Sequence, residues 1–230
     1  ITRLDHWFGG LHVINEVSLS VRSGVVKAII GPNGAGKTTL FNLVAGYYAP
    51  ASGSIRFLGE ETAGLAPHQM ARRGVSRTFQ SSRLFPGMTV LENVMTGRHV
   101  ASRAGFLSGM LALPHAWREE KRIREESLAI LAEMGLTGMA AKDARSLPFG
   151  QQRVVEIARA LASHPLLLLL DEPAGGLSRM ELEQLGTVIR RIRDELRMTV
   201  LVVEHHMELI MSISDRVCVL NFGRKIAEGT

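Results

Sequence analysis

Apolar residues along this 230-residue chain fall into short unbroken runs, separated by stretches that repeat with helical spacing. The runs at Val17–Val21, Val25–Ile30, Ser54–Leu58, Leu166–Leu170, Thr199–Val203 and Arg216–Asn221 predict strands. Between them, Val154, Ile157, Ala158 and Leu161 recur at helical spacing, as do Leu182, Leu185, Ile189, Ile192 and Leu196. Both stripes predict helices with one face in the core. Strands alternating with helices predict an α/β fold whose ligand site lies at the carboxyl ends of the strands.

From about Pro86 to Pro165 the pattern changes, because helix-like segments follow one another with no convincing strand between them. Pro86-Gly87 and His164-Pro165 are natural breaks at its two ends. A helical subdomain over about 86–164 is therefore expected, inserted into a core formed by about 1–85 and 165–230.

The segment Gly31–Thr39, GPNGAGKTT, fits the phosphate-cradling pattern G-x-x-x-x-G-K-[ST] at every fixed position. Gly31, Gly34 and Gly36 allow a turn tight enough for successive N–H groups to face phosphate oxygens, where a Cβ would obstruct them. Asn33, Ala35 and Thr39 complete the loop. Lys37 is expected to reach the β- and γ-phosphates and Thr38 to offer its hydroxyl to Mg²⁺, with the positive end of a helix starting near Lys37 behind them. The apolar run before the loop supplies the buried strand this motif requires.

Leu166–Leu170 runs into Asp171-Glu172, so a hydrophobic strand ends in two carboxylates. Beside a phosphate loop, Asp171 is the candidate metal ligand and Glu172 the candidate that polarises an attacking water.

Composition narrows the setting. With 46% hydrophobic and 21% charged residues the chain can bury a full core. No apolar run approaches the roughly 18 residues that cross a bilayer. The single cysteine, Cys218, lies in an apolar run, which excludes a disulfide framework, predicts a buried thiol and favours a reducing cytoplasm. The net charge of +5 raises nucleic acid as a partner. Interleaving of Arg118, Lys121, Arg122 and Arg124 with Glu119, Glu120, Glu125 and Glu126 points instead to a solvated helix face, so no nucleic-acid partner is expected. The chain has no start methionine and no signal peptide, and trimmed ends are expected.

Over essentially its whole length the chain resembles the ATP-binding cassette family. Phe8 matches the aromatic that stacks on adenine, with neighbouring Trp7 as the alternative. Gln80, in Thr78-Phe79-Gln80, matches the glutamine that senses Mg²⁺ and water. Leu147-Pro148-Phe149-Gly150-Gln151-Gln152-Arg153 stands in the place of the family signature, and His205 matches the switch histidine, with adjacent His206 as the alternative. The resemblance implies a P-loop NTPase with a RecA-like, mostly parallel sheet, an N-terminal antiparallel β region and the helical insertion. It also implies ATP and Mg²⁺ as cofactors, with Thr38, Gln80 and Asp171 at the metal and Glu172, Gln80 and His205 catalytic.

Two departures stand out. Pro148 and Phe149 replace the signature serine and first glycine, leaving the backbone of Gly150 and Gln151 at a helix start to meet the phosphate. Ser178 stands where the family usually has an aspartate. The segments Ser76–Gln80, Leu84–Val94 and Glu204–Met207 look like those of ATPase subunits of branched-chain amino-acid importers. That likeness implies a second ATPase subunit, transmembrane permease subunits, indirectly a solute-binding protein, and a peripheral position on the cytoplasmic face of the membrane. The apolar positions Phe106, Leu107, Met110, Leu111 and Leu113 are expected to pack within the subdomain, with docking to a membrane-subunit helix as the alternative. The ATPase of another transporter, of lipid or urea/amide type, a soluble nucleic-acid-associated ATPase and a non-hydrolysing nucleotide-binding module are the competing readings.

Overall fold

The computed structural model describes residues 1–78, 84–100 and 114–230, so Gln80 and the apolar positions Phe106, Leu107, Met110, Leu111 and Leu113 lie outside the described residues. The chain divides into two compact units, Ile1–Gln80 with Leu166–Thr230, and Ser81–Pro165.

The first unit is built on strands β1 (Thr2–Phe8), β2 (Leu11–Val17), β3 (Val26–Ile30), β4 (Ser52–Ser54), β5 (Arg56–Phe57), β6 (Glu60–Glu61), β7 (Val75–Arg77), β8 (Leu167–Asp171), β9 (Thr199–Val203), β10 (Arg216–Asn221) and β11 (Arg224–Gly229). Six of them form one sheet in the order β11-β10-β3-β9-β8-β7. All neighbours in it are parallel except β10 and β11. The central strands read as near-continuous apolar runs because they are buried on both faces, as parallel sheets are. β2, β1 and β4 form a separate antiparallel sheet.

Helix α1 (Lys37–Val44) shares one apolar cluster with both sheets: Leu40, Phe41 and Leu43 pack with Ile29, Leu169 and Leu201 and with Leu4, Ile14 and Val17. Each such side chain stabilises the fold by about 1.5–3 kcal/mol through burial. Cys218 belongs to this cluster, and burial pushes its thiol pKa up.

The second unit is helical among its described residues: α3 (Val90–Thr96), α4 (Pro114–Glu133) and α5 (Phe149–Leu161), α2 (Pro67–Arg72) lying in the first unit. Thr89 caps α3 in a reciprocal pair with Glu92. Buried Asn93 accepts from the Phe85 amide and donates to the carbonyls of Phe85, Met88 and Thr89, fixing the turn that leads into α3. At Gly97 a Cβ would stand 2.0 Å from the Arg159 carbonyl oxygen, so only glycine lets this segment approach α5. Arg98 joins Glu126 of α4 at 2.6 Å and donates to the Ala162 carbonyl at 3.3 Å.

Three expectations need correction. Val17–Val21 is not a strand: β2 ends at Val17, and beyond it the Ser18 hydroxyl accepts from the Arg3 amide at 2.8 Å in place of a ladder bond, while Leu19 still packs into the core. Ser54–Leu58 splits because β4 pairs with β1 whereas β5 pairs with β6, the partner changing at buried Ile55. The stripe ending at Leu196 outlasts its helix, since α6 (Arg179–Asp194) stops two residues earlier; Leu185, Ile189 and Ile192 are its buried face.

Candidate phosphate-binding site

β3 delivers the chain into Gly31–Gly36, and α1 carries it away from the loop at Lys37. At Gly31 (φ +154°) a Cβ would lie 2.2 Å from the Leu220 carbonyl oxygen; at Gly36 (φ +98°) it would lie 2.8 Å from that of Val13. Both glycines are thus demanded by closeness of backbone to backbone, and the loop is pressed against β2 and the end of β10. The turn between β10 and β11 adds a strut, because Gly223 donates to the Ala35 carbonyl at 3.0 Å and accepts from the Asn15 amide at 2.8 Å. Gly36 offers α1 no side-chain cap, as an anion-binding helix start requires. Asn33, Gly34 and Thr38 are exposed, Ala35 is buried and Thr39 half-buried. Buried Lys37 folds back, its ammonium donating to the carbonyls of Gly31 at 2.7 Å and Pro32 at 2.9 Å.

Three further strands run parallel to β3 and end at the same edge of the sheet as this loop. β9 pairs with β3 and β8, and β7 lies on the far side of β8. Asp171 closes β8, buried, with Oδ2 accepting from the Arg77 guanidinium at 2.7 Å. Arg77 donates its other arm to Asn42 of α1 at 2.6 Å and lies 5.9 Å and 5.4 Å from the ring centres of Phe41 and Tyr47. Glu172 follows in the left-handed region (φ +45°), its amide donating to the Val203 carbonyl at 2.9 Å. That conformation costs a non-glycine residue about 1–2 kcal/mol. Glu204, His205 and His206 follow β9: Glu204 is wholly buried, while the His205 ring is half-exposed with Nδ1 3.5 Å from Glu204 Oε1.

Phe8 and Trp7 face opposite sides of β1. The Trp7 ring has one face covered by His12, with centroids 4.1 Å apart and planes 11° from parallel. Phe8, 45% exposed, meets His6 and Tyr48 edge-on at 4.8 Å and 5.3 Å.

In the second unit Gly150 and Gln151 lie in the first turn of α5, which opens at Phe149 behind Pro148. Gln152 ties this turn down by donating to the carbonyls of Leu147 at 2.8 Å and Arg145 at 3.2 Å. Arg153 pairs with Glu156 at 3.0 Å and lies 4.9 Å from the centre of the Phe149 ring. Ser178 caps α6, its hydroxyl and amide bonding the Glu181 carboxylate at 2.7 Å and 2.9 Å. A helix cap therefore gives Ser178 a local role of its own.

Sequence reasoning assigned no role to Arg77 or Glu204. The available signals were an arginine ending a strand beside the Asp171 strand, and a carboxylate immediately after an apolar strand.

Loops of this build, between a buried strand and a helix, belong to nucleotide-binding α/β proteins, and the first unit falls in that class. The chain itself belongs to the ABC transporter family, whose model matches residues 14–175. It is 46% identical over 230 residues to the high-affinity branched-chain amino acid transport ATP-binding protein BraF of Pseudomonas aeruginosa, covering 100% of this chain and 90% of that one. An ATP-binding cassette of an ABC transporter solved in its ADP conformation matches with a TM-score of 0.85 at 29% identity, over 99% of this chain and 89% of that one. A dimeric cassette in a post-hydrolysis state, bound to ADP and Pi, matches with a TM-score of 0.80 at 25% identity, over 100% and 97%.

Proposed function

We propose that this chain is the ATP-hydrolysing subunit of an ABC transporter that imports branched-chain or related amino acids. The observation that carries the reading is the convergence at one sheet edge of the Gly31–Thr39 loop, the Asp171-Glu172 pair and the Glu204-His205 segment. The amino-acid cargo rests on the full-length similarity to BraF.

The residues fit a Mg²⁺-triphosphate. The loop is open at Gly34, where nothing lies within 4 Å of the place a Cβ would take, and Thr38 with Asp171 offers the hard oxygen donors a magnesium ion takes. Gln80 is the third candidate ligand. When bound, Mg²⁺ supplies charge neutralisation on the phosphate oxygens. Lys37 and the first amides of α1 bind the β- and γ-phosphates and counter charge that grows on them as the γ-phosphoryl group leaves. Glu172 accepts a hydrogen bond from the attacking water and polarises it. His205 donates to the γ-phosphate and keeps the water in line, a positioning role shared with Gln80. Phe8 stacks on adenine, since Trp7 already has one ring face taken.

The amides of Gly150 and Gln151 and the α5 dipole close over the γ-phosphate bound to a second ATPase subunit, so that two chains enclose two nucleotides. Pairing of the dimeric post-hydrolysis cassette supports this arrangement. Among the described residues no helix is long and apolar enough to cross a membrane. The chain works at the cytoplasmic face against transmembrane permease subunits, which receive solute from a binding protein. No nucleic acid takes part.

Reconstitution into vesicles with the permease subunits and binding protein of the same system is the test. ATP-dependent uptake of labelled leucine, abolished by Lys37→Ala, is expected; a complex that hydrolyses ATP but accumulates no branched-chain amino acid contradicts the cargo.

A further inference from the structure

Glu204 is 0% exposed, and a carboxylate taken so completely out of water is costly unless its lone pairs are engaged. Here they are engaged by backbone on two different segments. Oε1 accepts from the amides of His205 at 2.8 Å and His206 at 3.3 Å, while Oε2 accepts from the amide of Ala174 at 3.0 Å. One side chain therefore spans the gap between the segment after β8 and the segment after β9.

The residues on either side of this span are those that the reading above makes catalytic. Glu172 is held in the left-handed region by its amide bond to Val203 on one side; two residues on, Ala174 is fixed by Glu204, and the Gly175 amide returns to the Glu172 carbonyl at 3.2 Å. A strained residue persists only where its surroundings over-determine it. Glu204 supplies part of that determination, and the same carboxylate sets the start of the His205 segment.

We propose that Glu204 is a positioning residue that locks the Glu172 and His205 segments into a single geometry for γ-phosphate cleavage. The proposal rests on the roles given above to Glu172 and His205. Both carboxylate oxygens are required, since a glutamine has one acceptor oxygen and turns N–H donors toward the other amide. Glu204→Gln can keep the His205 side or the Ala174 side, and not both.

The experiment compares the wild-type ATPase with Glu204→Gln, reading kcat, KM for ATP and hydrogen exchange at the Ala174 and His205 amides. We expect KM within about twofold and kcat lower by about 10- to 100-fold, the size of effect a misplacement of about 1 Å produces, with faster exchange at one of the two amides. If Glu204→Gln does not fold, Glu204→Asp, whose carboxylate is one methylene too short to reach the amides of both segments, is expected to show the same loss of kcat at unchanged KM. Wild-type kcat despite faster exchange would reduce Glu204 to a structural role and overturn the proposal, as would unchanged exchange. Glu172→Gln and His205→Ala serve as controls: should both keep wild-type turnover, the assigned roles fail and this proposal with them, whereas loss of turnover in both beside an unaffected Glu204→Gln removes Glu204 alone.

Discussion

The Arg77 guanidinium and the Asp171 carboxylate form an ion pair at 2.7 Å, with side chains only 11% and 5% exposed. Arg77 is also bonded to Asn42, so the pair fastens the helix that leaves the phosphate loop to the strand end that carries Asp171. Removing one partner strands the other charge in a buried setting, which costs about 3–5 kcal/mol. Arg77→Met should lower unfolding stability by that order in urea titration. Lysine should not restore it, because its compact ammonium lacks the planar fork whose two arms reach Asn42 and Asp171. Wild-type stability in Arg77→Met would contradict the account of this pair.

Gly31 and Gly34 separate steric demand from backbone preference. A Cβ at Gly31 meets the Leu220 carbonyl oxygen at 2.2 Å, whereas at Gly34 (φ +80°) nothing lies within 4 Å. Gly34→Ala should cost only the left-handed penalty of about 1–2 kcal/mol. Gly31→Ala should cost at least about 3 kcal/mol, at the upper end of single-residue effects, and should abolish nucleotide binding. Thermal unfolding with and without ATP distinguishes them; equal behaviour of the two variants would refute the contact at Gly31.

Lys37 holds two loop carbonyls, and the proposed function turns its ammonium to the phosphates. Hydrogen bonds to a charged group contribute about 1.5–3 kcal/mol each, so Lys37→Ala should weaken ATP binding by at least about tenfold. Calorimetric titration reads this directly, and unchanged affinity would remove Lys37 from the phosphate site.

How much of this was legible beforehand follows from where the signal resides. β9 was readable to the residue because central strands of a parallel sheet are apolar on both faces, and β10 because Val217–Leu220 is an apolar run whose buried residues, Cys218 and Leu220, alternate along it. β1 was not, because Leu4 is its only fully buried residue, and β11 is exposed along its whole length. The glycine loop is a local backbone motif, so spacing alone announced it. Arg77 and Glu204 act through partners 94 and 30 residues away in sequence, Asp171 and Ala174, which no local pattern encodes.

Lys27, 1% exposed on β3, donates to Glu228 at 2.6 Å and to the Ser20 carbonyl at 2.7 Å. The Lys27 hydrogen bond holds the Glu228 carboxyl below its ordinary pKa. A depressed folded-state pKa means the contribution is present above the ordinary glutamate value and is lost as pH falls through the depressed one. Wild type should therefore be more stable than Glu228→Gln at pH 7, with the gap narrowing below about pH 4.5. Urea midpoints across pH 3–7 test it; a gap that widens on acidification would contradict the sign.

Glu172→Gln addresses the central claim, that the carboxylate after β8 activates water at a phosphate site formed by Gly31–Thr39. Removing a general base of this kind typically costs 10²–10⁴-fold. Single-turnover cleavage of radiolabelled ATP by this variant, measured beside its ATP affinity, is predicted to show hydrolysis lowered by at least about 100-fold with affinity unchanged within about twofold. Hydrolysis at the wild-type rate with ATP fully bound would contradict it.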